Sequence, residues 1–265
     1  MLKQRIPTAI ILVAIVLAAL FLNNPLFWRG LISIAVLVGF WEWLRFCKIT
    51  TFIFKAVSYG LFITCFYFLQ MGYIPIEIIV YSACLLWVAL LLFTMTSYLD
   101  VLHDNVIKML IGVVVLSTSG WIIISFKSVN PLWVLCFMVS VWAADVGAYF
   151  VGKRFGKTKL APRVSPGKTV EGMLGGVGLM LLVYVPVLFY LFSIKAALLL
   201  LLTLVITTLV SVGGDLFESK MKRYSGLKDS SQILPGHGGV LDRIDSLLSG
   251  APFFALGLIM LGYIN

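Results

Sequence analysis

Residues 196–245 read AALLLLLTLVITTLVSVGGDLFESKMKRYSGLKDSSQILPGHGGVLDRID. The first half is an uncharged apolar run up to Asp215, long enough to cross a bilayer as a helix. The second half packs Lys220, Lys222, Arg223, Lys228, Asp229, His237, Asp242, Arg243 and Asp245 into one polar stretch. Ionisable groups at that density do not sit in hydrocarbon, so this stretch has to line a polar site at a membrane face.

The rest of the chain repeats the first half of that pattern. Hydrophobic residues make up 61% of the 265 and charged residues 12%, about half the charged share of a soluble domain. The mean hydropathy is +1.08. Apolar runs recur at about 6–22, 31–45, 51–69, 75–95, 106–125, 131–151, 171–192, 196–217 and 247–264. The expected fold is an all-α, polytopic integral membrane protein of about nine transmembrane helices. Short alternating strands, the mark of an outer-membrane barrel, are not seen. The first run follows Lys3 and Arg5 but leads into Leu22-Asn23-Asn24-Pro25 with no small-x-small cleavage site, so it reads as a retained helix.

Lys and Arg placement sets the expected orientation. With the N-terminus cytoplasmic, only Arg29, Lys127 and Lys195 of the 20 basic residues fall outside. The net charge of +9 then reflects topology, contact with anionic lipid and a polyanionic substrate, and calls for no nucleic acid. Cys47, Cys65, Cys84 and Cys136 lack CxxC spacing and read as small apolar residues.

The chain divides near residue 140. Residues 1–140 read as N-terminal transmembrane helices that form a scaffold with dimer and lipid contacts, and 141–265 as a C-terminal catalytic transmembrane region with cytoplasmic loops at 152–170 and 218–246. Glu42 and Arg45 in Trp41-Glu42-Trp43-Leu44-Arg45, and Asp100, His103 and Asp104, are expected at the interface or in solvent. No inverted repeat of the transporter kind is found. Gly172-xxx-Gly176 in the seventh span fits close helix packing.

Acidic residues are scarce. Of 11, five (Asp215, Glu218, Asp229, Asp242, Asp245) fall within one short stretch. Asp242 and Asp245, spaced i,i+3, share a face if a helix enters the membrane after Leu241. Converging carboxylates repel unless a cation lies between them, and oxygen-only ligands suit Mg²⁺, which bridges carboxylates to phosphates. Asp215 follows Gly213-Gly214 and is placed to complete such a site. Asp145, expected buried within the sixth span, is a further candidate because an intramembrane carboxylate is functional by default. Pro235-Gly236-His237-Gly238-Gly239 offers backbone N–H groups that could wrap phosphate oxygens. Lys168 is the one lysine of the 152–170 loop set against the seventh span at the same face. Neither Gly156-Lys157-Thr158 nor Gly167-Lys168-Thr169 is a P-loop, since upstream glycine and strand are missing. Ser-His-Asp and HExxH arrangements are also missing.

These residues carry a resemblance. Ser219-x-Met221-Lys222-Arg223, Lys228-Asp229-x-Ser231 and Leu234-Pro235-x-His237-Gly238-Gly239-Val240-x-Asp242-Arg243-Ile244-Asp245 resemble the signature of the phosphatidate cytidylyltransferases, or CDP-diacylglycerol synthases, at every signature position. Gly214-Asp215-Leu216-Phe217-Glu218, Ser165-Pro166-Gly167-Lys168-Thr169-Val170-Glu171-Gly172, and Asp145 with Gly147, Tyr149 and Phe150 extend it. The N-terminal half matches only in hydropathy and span count. The resemblance implies CTP and phosphatidic acid as substrates, giving CDP-diacylglycerol and pyrophosphate. It also implies Mg²⁺, a second monovalent cation such as K⁺, a homodimer, and a bacterial-type inner (plasma) membrane with the active site cytoplasmic. Asp215, Asp242 and Asp245 match metal-holding positions. Lys168, Lys222, Arg223, Lys228, His237 and Arg243 are the expected catalytic groups near substrate, and Ser165, Ser219, Asp229, Gly238 and Gly239 the expected substrate-binding ones. A CTP-using polyprenol or dolichol kinase is the nearest rival. A CDP-alcohol phosphotransferase is excluded because Ser246 and Leu247 follow Asp245, and a transporter would carry charges through several spans.

Overall fold

The computed structural model describes residues 2–22, 24–95 and 104–264, with side chains from residue 7 onward. Its elements are α1 (Leu2–Phe21), α2 (Pro25–Phe46), α3 (Phe52–Gln70), α4 (Ile76–Met95), α5 (Asn105–Val129), α6 (Pro131–Phe155), β1 (Lys159–Ala161), β2 (Ser165–Thr169), α7 (Val170–Leu191), α8 (Ile194–Tyr224) and α9 (Leu241–Met260). Among the described residues there are thus nine helices, and eight are long and apolar enough to cross a bilayer. The apolar part of α1 with described side chains, Pro7–Phe21, is shorter.

Helix starts follow local chemistry. Asn24 and Asn130 accept from the N–H groups of Leu26 and Leu132 (2.9 Å each), and a proline at the first helical position of α2 and α6 adds a preset φ. Asp104 accepts from Val106 and Ile107 and so caps α5. Asp100 and His103, read with it as one polar loop, lie outside the described residues.

α5 and α9 are the most buried spans, and α3 and α7 the most exposed. Two aromatic groups fill the interior. Phe126, Phe137, Phe254 and Trp133 pack on one another in the first, and Phe40, Phe62 and Phe66 stack in the second. α6 and α7 run in close contact. A Cβ added to Gly176 would lie 2.6 Å from the Ala144 carbonyl oxygen, so the expected Gly172-xxx-Gly176 packing is present, against α6.

Four boundaries differ from the hydropathy reading, among them the start of α9, at Leu241 and not near 247. α2 begins at Pro25, earlier than expected, because the Asn24 cap starts it. α8 continues past 217 to Tyr224, carrying Glu218–Arg223 on a helix. The 152–170 segment is not all loop: β1 and β2 pair antiparallel, with Lys159 opposite Thr169 and Ala161 opposite Ser165. Polar chain between α8 and α9 therefore narrows to residues 225–240.

One end of the bundle gathers the polar elements. The Phe46 carbonyl, at the end of α2, accepts from Lys108 Nζ on α5 (3.3 Å) and from Ser225 Oγ after α8 (2.7 Å). At the other end Lys127 Nζ donates to the carbonyls of Ala19 (2.7 Å) and Leu22 (3.1 Å), closing α1. Overpacking a tight contact costs about 1–3 kcal/mol. Gly176→Val should therefore lower the thermal unfolding midpoint of detergent-purified protein, while the same change at Gly178, where a Cβ meets nothing within 4 Å, should not.

Candidate active site

A cavity of about 710 Å³ opens at the polar end of the bundle. Asp145, Asp215, Lys222, Asp229, His237, Asp242, Arg243 and Asp245 line its polar part. Below them the wall turns apolar, with Val13, Val16, Leu31, Phe137, Met138 and Val141 from α1, α2 and α6. The space is amphipathic along its length, charged at the mouth and hydrocarbon-like beneath.

α9 carries Asp242 in its first turn and Asp245 one turn on, the i,i+3 spacing the sequence shows. Asp242 is almost fully committed. Its Oδ1 accepts from Lys222 Nζ at 2.6 Å, and its Oδ2 from the N–H groups of Ser230 (2.9 Å) and Gly239 (2.8 Å), with the Ser230 hydroxyl 2.9 Å away. Lys222 also reaches Glu218 Oε1 at 3.2 Å, one turn earlier on α8. These side chains are buried, at 9% exposure for Lys222, 8% for Asp242 and 3% for Glu218. Stripping one partner from a buried pair costs about 3–5 kcal/mol, so this ammonium is fixed between two carboxylates.

The hairpin supplies the next cation. Glu171, in the first turn of α7, accepts from the N–H groups of Lys157 and Thr158 (3.1 Å) and pins the entry to β1. β2 then delivers Lys168 to Asp215 Oδ2 at 2.5 Å, with a second bond to the Val212 carbonyl at 3.3 Å. Ser219 Oγ donates to Asp215 Oδ1 at 3.2 Å. Asp245 Oδ1 accepts from the N–H of its neighbour Ser246 at 2.7 Å, and its carboxyl lies against those of Glu218 and Asp215. Asp145 is not buried in the sixth span as expected. It is exposed to the cavity, because α6 forms the cavity wall at that turn, and it lies within electrostatic reach of Lys168, Asp215 and Arg243.

Other predicted residues stand further out. Arg223 donates to the carbonyls of Val164 (3.5 Å) and Leu227 (3.2 Å), tying the hairpin tip to α8. Ser165 pairs with Ala161 in the hairpin. Lys228 lines a separate outer pocket with Trp41 and Arg45, and Asp229 borders both spaces. Arg243 Nε donates to the His237 carbonyl at 3.1 Å, while the buried Nδ1 of His237 has no hydrogen-bond partner among the described residues. Gly236 and Gly238 take positive φ, and Leu234 N–H donates to the Gly238 carbonyl, which closes the turn. Several N–H groups of this turn already serve the protein: His237 donates to Leu234, Gly239 to Asp242, and Val240 and Leu241 to Glu42.

Glu42 is the residue that sequence reasoning missed. It was expected at the interface or in solvent; it is 0% exposed. Its carboxylate accepts from Ser230 Oγ (3.0 Å), Ser231 Oγ (2.5 Å), Val240 N–H (3.0 Å) and Leu241 N–H (2.6 Å). Arg45, one turn on, donates to the Ser230 carbonyl. The available signal was the rarity of acidic residues before residue 140, set against an aromatic context that reads as interfacial.

The donor set can be tested for a divalent cation. Among the described residues no three His, Cys, Asp or Glu side chains form a ready-made ligand group. Mg²⁺ usually takes only one or two carboxylates and completes its shell with water and substrate phosphates. Asp215 and Asp245, oxygen ligands on one cavity, fit that partial requirement.

The sequence model described as the cytidylyltransferase family matches residues 3–261. The chain is 36% identical over 285 residues to the phosphatidate cytidylyltransferase of Haemophilus influenzae, covering 96% of this chain and 98% of that protein. It is 38% identical over 280 residues to the protein of the same name from Pseudomonas aeruginosa, covering 99% of each. Over a shorter stretch of 121 residues it is 50% identical to the one from Bacillus subtilis.

Proposed function

The chain belongs to the cytidylyltransferase family, and on that premise we propose that it joins CTP to phosphatidic acid, giving CDP-diacylglycerol and pyrophosphate at the cytoplasmic face of a bacterial-type inner membrane. The observation that carries this reading is the cavity itself. Its charged mouth suits a polyphosphate and its apolar floor suits acyl chains, so a water-soluble and a lipid phosphate can meet at the residues between.

A phosphate oxygen of phosphatidate attacks the α-phosphorus of CTP; one P–O bond forms and the bond to pyrophosphate breaks. The nucleophile is already an anion near neutral pH, so no strong general base is required. The difficulty is bringing two anions together and accommodating charge on the leaving pyrophosphate, a task of positioning and electrostatics. Arg243 and Lys168 supply positive charge beside the cavity carboxylates. Lys222 holds Asp242 and Glu218, and through Asp242 it holds the 230–239 segment. Arg223 keeps the Lys168 hairpin against α8. On this reading Lys228 and Asp229, at the outer pocket, meet the nucleotide on its way in, and His237 lines the main cavity.

Asp215 and Asp245 would hold Mg²⁺ together with substrate phosphates, while Asp242 could offer only the Oδ1 it now shares with Lys222. When bound, Mg²⁺ neutralises phosphate charge. No residue set among those described distinguishes a second, monovalent cation such as K⁺, and no step depends on one. Residues 141–265 supply the charged groups in this scheme and residues 1–140 much of the apolar wall. The reading also carries the homodimer that the resemblance implies, for which light scattering of the solubilised protein should give about twice its 29.3 kDa.

The deciding experiment is turnover of purified protein with phosphatidate and CTP labelled at either the α- or the γ-phosphate. Label from the α-position should enter lipid in a Mg²⁺-dependent way, and Asp245→Asn should reduce that rate by about 100-fold or more while remaining folded. Lipid labelled only from the γ-position would instead favour a CTP-dependent lipid kinase. Orientation rests on the basic residues. Lys157→Cys should react with a membrane-impermeant thiol reagent only from the cytoplasmic side; labelling from the opposite side would reverse the topology.

A further inference from the structure

The α9 N-terminus lacks a cap of its own. Its first turn begins after Val240, an apolar residue whose side chain makes no capping bond, although the opening N–H groups of a helix have no partner within it. Glu42 fills that role from another helix, 198 residues away in sequence from Val240. It accepts from Val240 and Leu241 N–H, and it takes the hydroxyls of Ser230 and Ser231 as well. A carboxylate also suits the positive end of a helix dipole. The turn is shaped to this arrangement: a Cβ on Gly239 would run into Ser230 Oγ and Glu42 Oε1.

The consequence reaches the cavity. Ser230 Oγ stands between Glu42 Oε2 (3.0 Å) and Asp242 Oδ2 (2.9 Å), and Asp245 follows Asp242 by one turn. We propose that Glu42 is a positioning residue for the transfer reaction: it caps α9 from α2 and thereby sets where Asp242, Arg243 and Asp245 stand. This rests on the cytidylyltransferase reading of the cavity. Glu42 touches no reacting atom; it acts through the start of α9 and through Ser230. A gln side chain of equal length would turn an amide NH₂ toward hydroxyl and N–H donors, and could not accept all four bonds.

The test uses the full chain in lipid nanodiscs, with wild type, Glu42→Gln, Glu42→Asp and Ser231→Ala. For each, kcat, KM for CTP, the Mg²⁺ concentration giving half-maximal rate, and the thermal midpoint are measured. Glu42→Gln is expected to lower kcat by about 10- to 100-fold per folded molecule, as small misplacements of reacting groups do. It should also raise the Mg²⁺ requirement several-fold and leave the KM for CTP nearly unchanged. Glu42→Asp, which keeps the charge, should recover part of kcat. Ser231→Ala removes one of the four donors and should shift kcat and the Mg²⁺ requirement in the same direction by a smaller factor. It should add nothing further when combined with Glu42→Gln, because the two act as one unit. A lower thermal midpoint with wild-type kcat and Mg²⁺ response in the folded fraction would overturn the proposal and leave Glu42 a purely structural cap. If Glu42→Gln does not fold, wild-type kinetics in Ser231→Ala and Glu42→Asp overturn it equally. A wild type that forms no CDP-lipid would remove the reading beneath it, which is a different result.

Discussion

A carboxylate at the edge of a bilayer has to be satisfied by the protein around it, because little water reaches it and an unpaired charge there is costly. Two carboxylates meet that condition through one short segment. Asp242 draws on Lys222, Ser230 and Gly239, and Glu42 on Ser230, Ser231, Val240 and Leu241. Residues 230–241 therefore serve both acids at once, and they lock α2, α8 and α9 together. Satisfying either acid in another geometry would strand donors belonging to the other.

This arrangement sorts the charges into two kinds. Glu42, Glu218, Lys222 and Asp242 are buried and tied mainly to one another or to the turn, so they give the site its shape. Asp145, Asp245 and Arg243 have cavity-facing positions with fewer protein bonds, and Asp215 is held by Lys168 and Ser219 at the rim. A group with three or four donors cannot take a ligand without losing order elsewhere. On the proposed reading, contact with incoming phosphate thus falls to the second kind, while the first keeps it in register. Electrostatic preorganisation of this sort suits a reaction that needs charges held still more than it needs protons moved.

The same distinction explains what the sequence could disclose. Apolar runs of bilayer length announced the helices, and the scarcity of acids drew attention to Asp215, Asp242 and Asp245. Hydropathy ended the eighth span near 217 because Glu218, Lys220 and Lys222 look incompatible with a helix packed among others. They are compatible because each finds a partner: Lys220 Nζ donates to the carbonyls of Phe93 and Thr94 at the end of α4, and Glu218 and Lys222 pair one turn apart. Asp145 looked buried because its neighbours along the chain are apolar; only the fold turns it toward the cavity. Glu42 was hidden for a related reason. Its neighbours Trp41 and Trp43 suggest an interface, and its partners lie 188 to 199 residues away, where no local pattern points back to it.

That distance bears on how the two parts of the chain depend on each other. Apolar helices in lipid have no hydrophobic reason to prefer one another over acyl chains, so close packing and polar contacts must select the arrangement. Between α6 and α7 the selection comes from small residues, with Gly176 against the Ala144 carbonyl. Between α2 and α9 it comes from a carboxylate that has nowhere else to be satisfied. The contact joins residue 42, in the 1–140 part of the chain, to residues 230–241 in the 141–265 part. The first turn of α9, which carries Asp242 and precedes Asp245, is closed by an acid from α2, so the first half of the chain takes part in the geometry of the cavity as well as in its apolar walls.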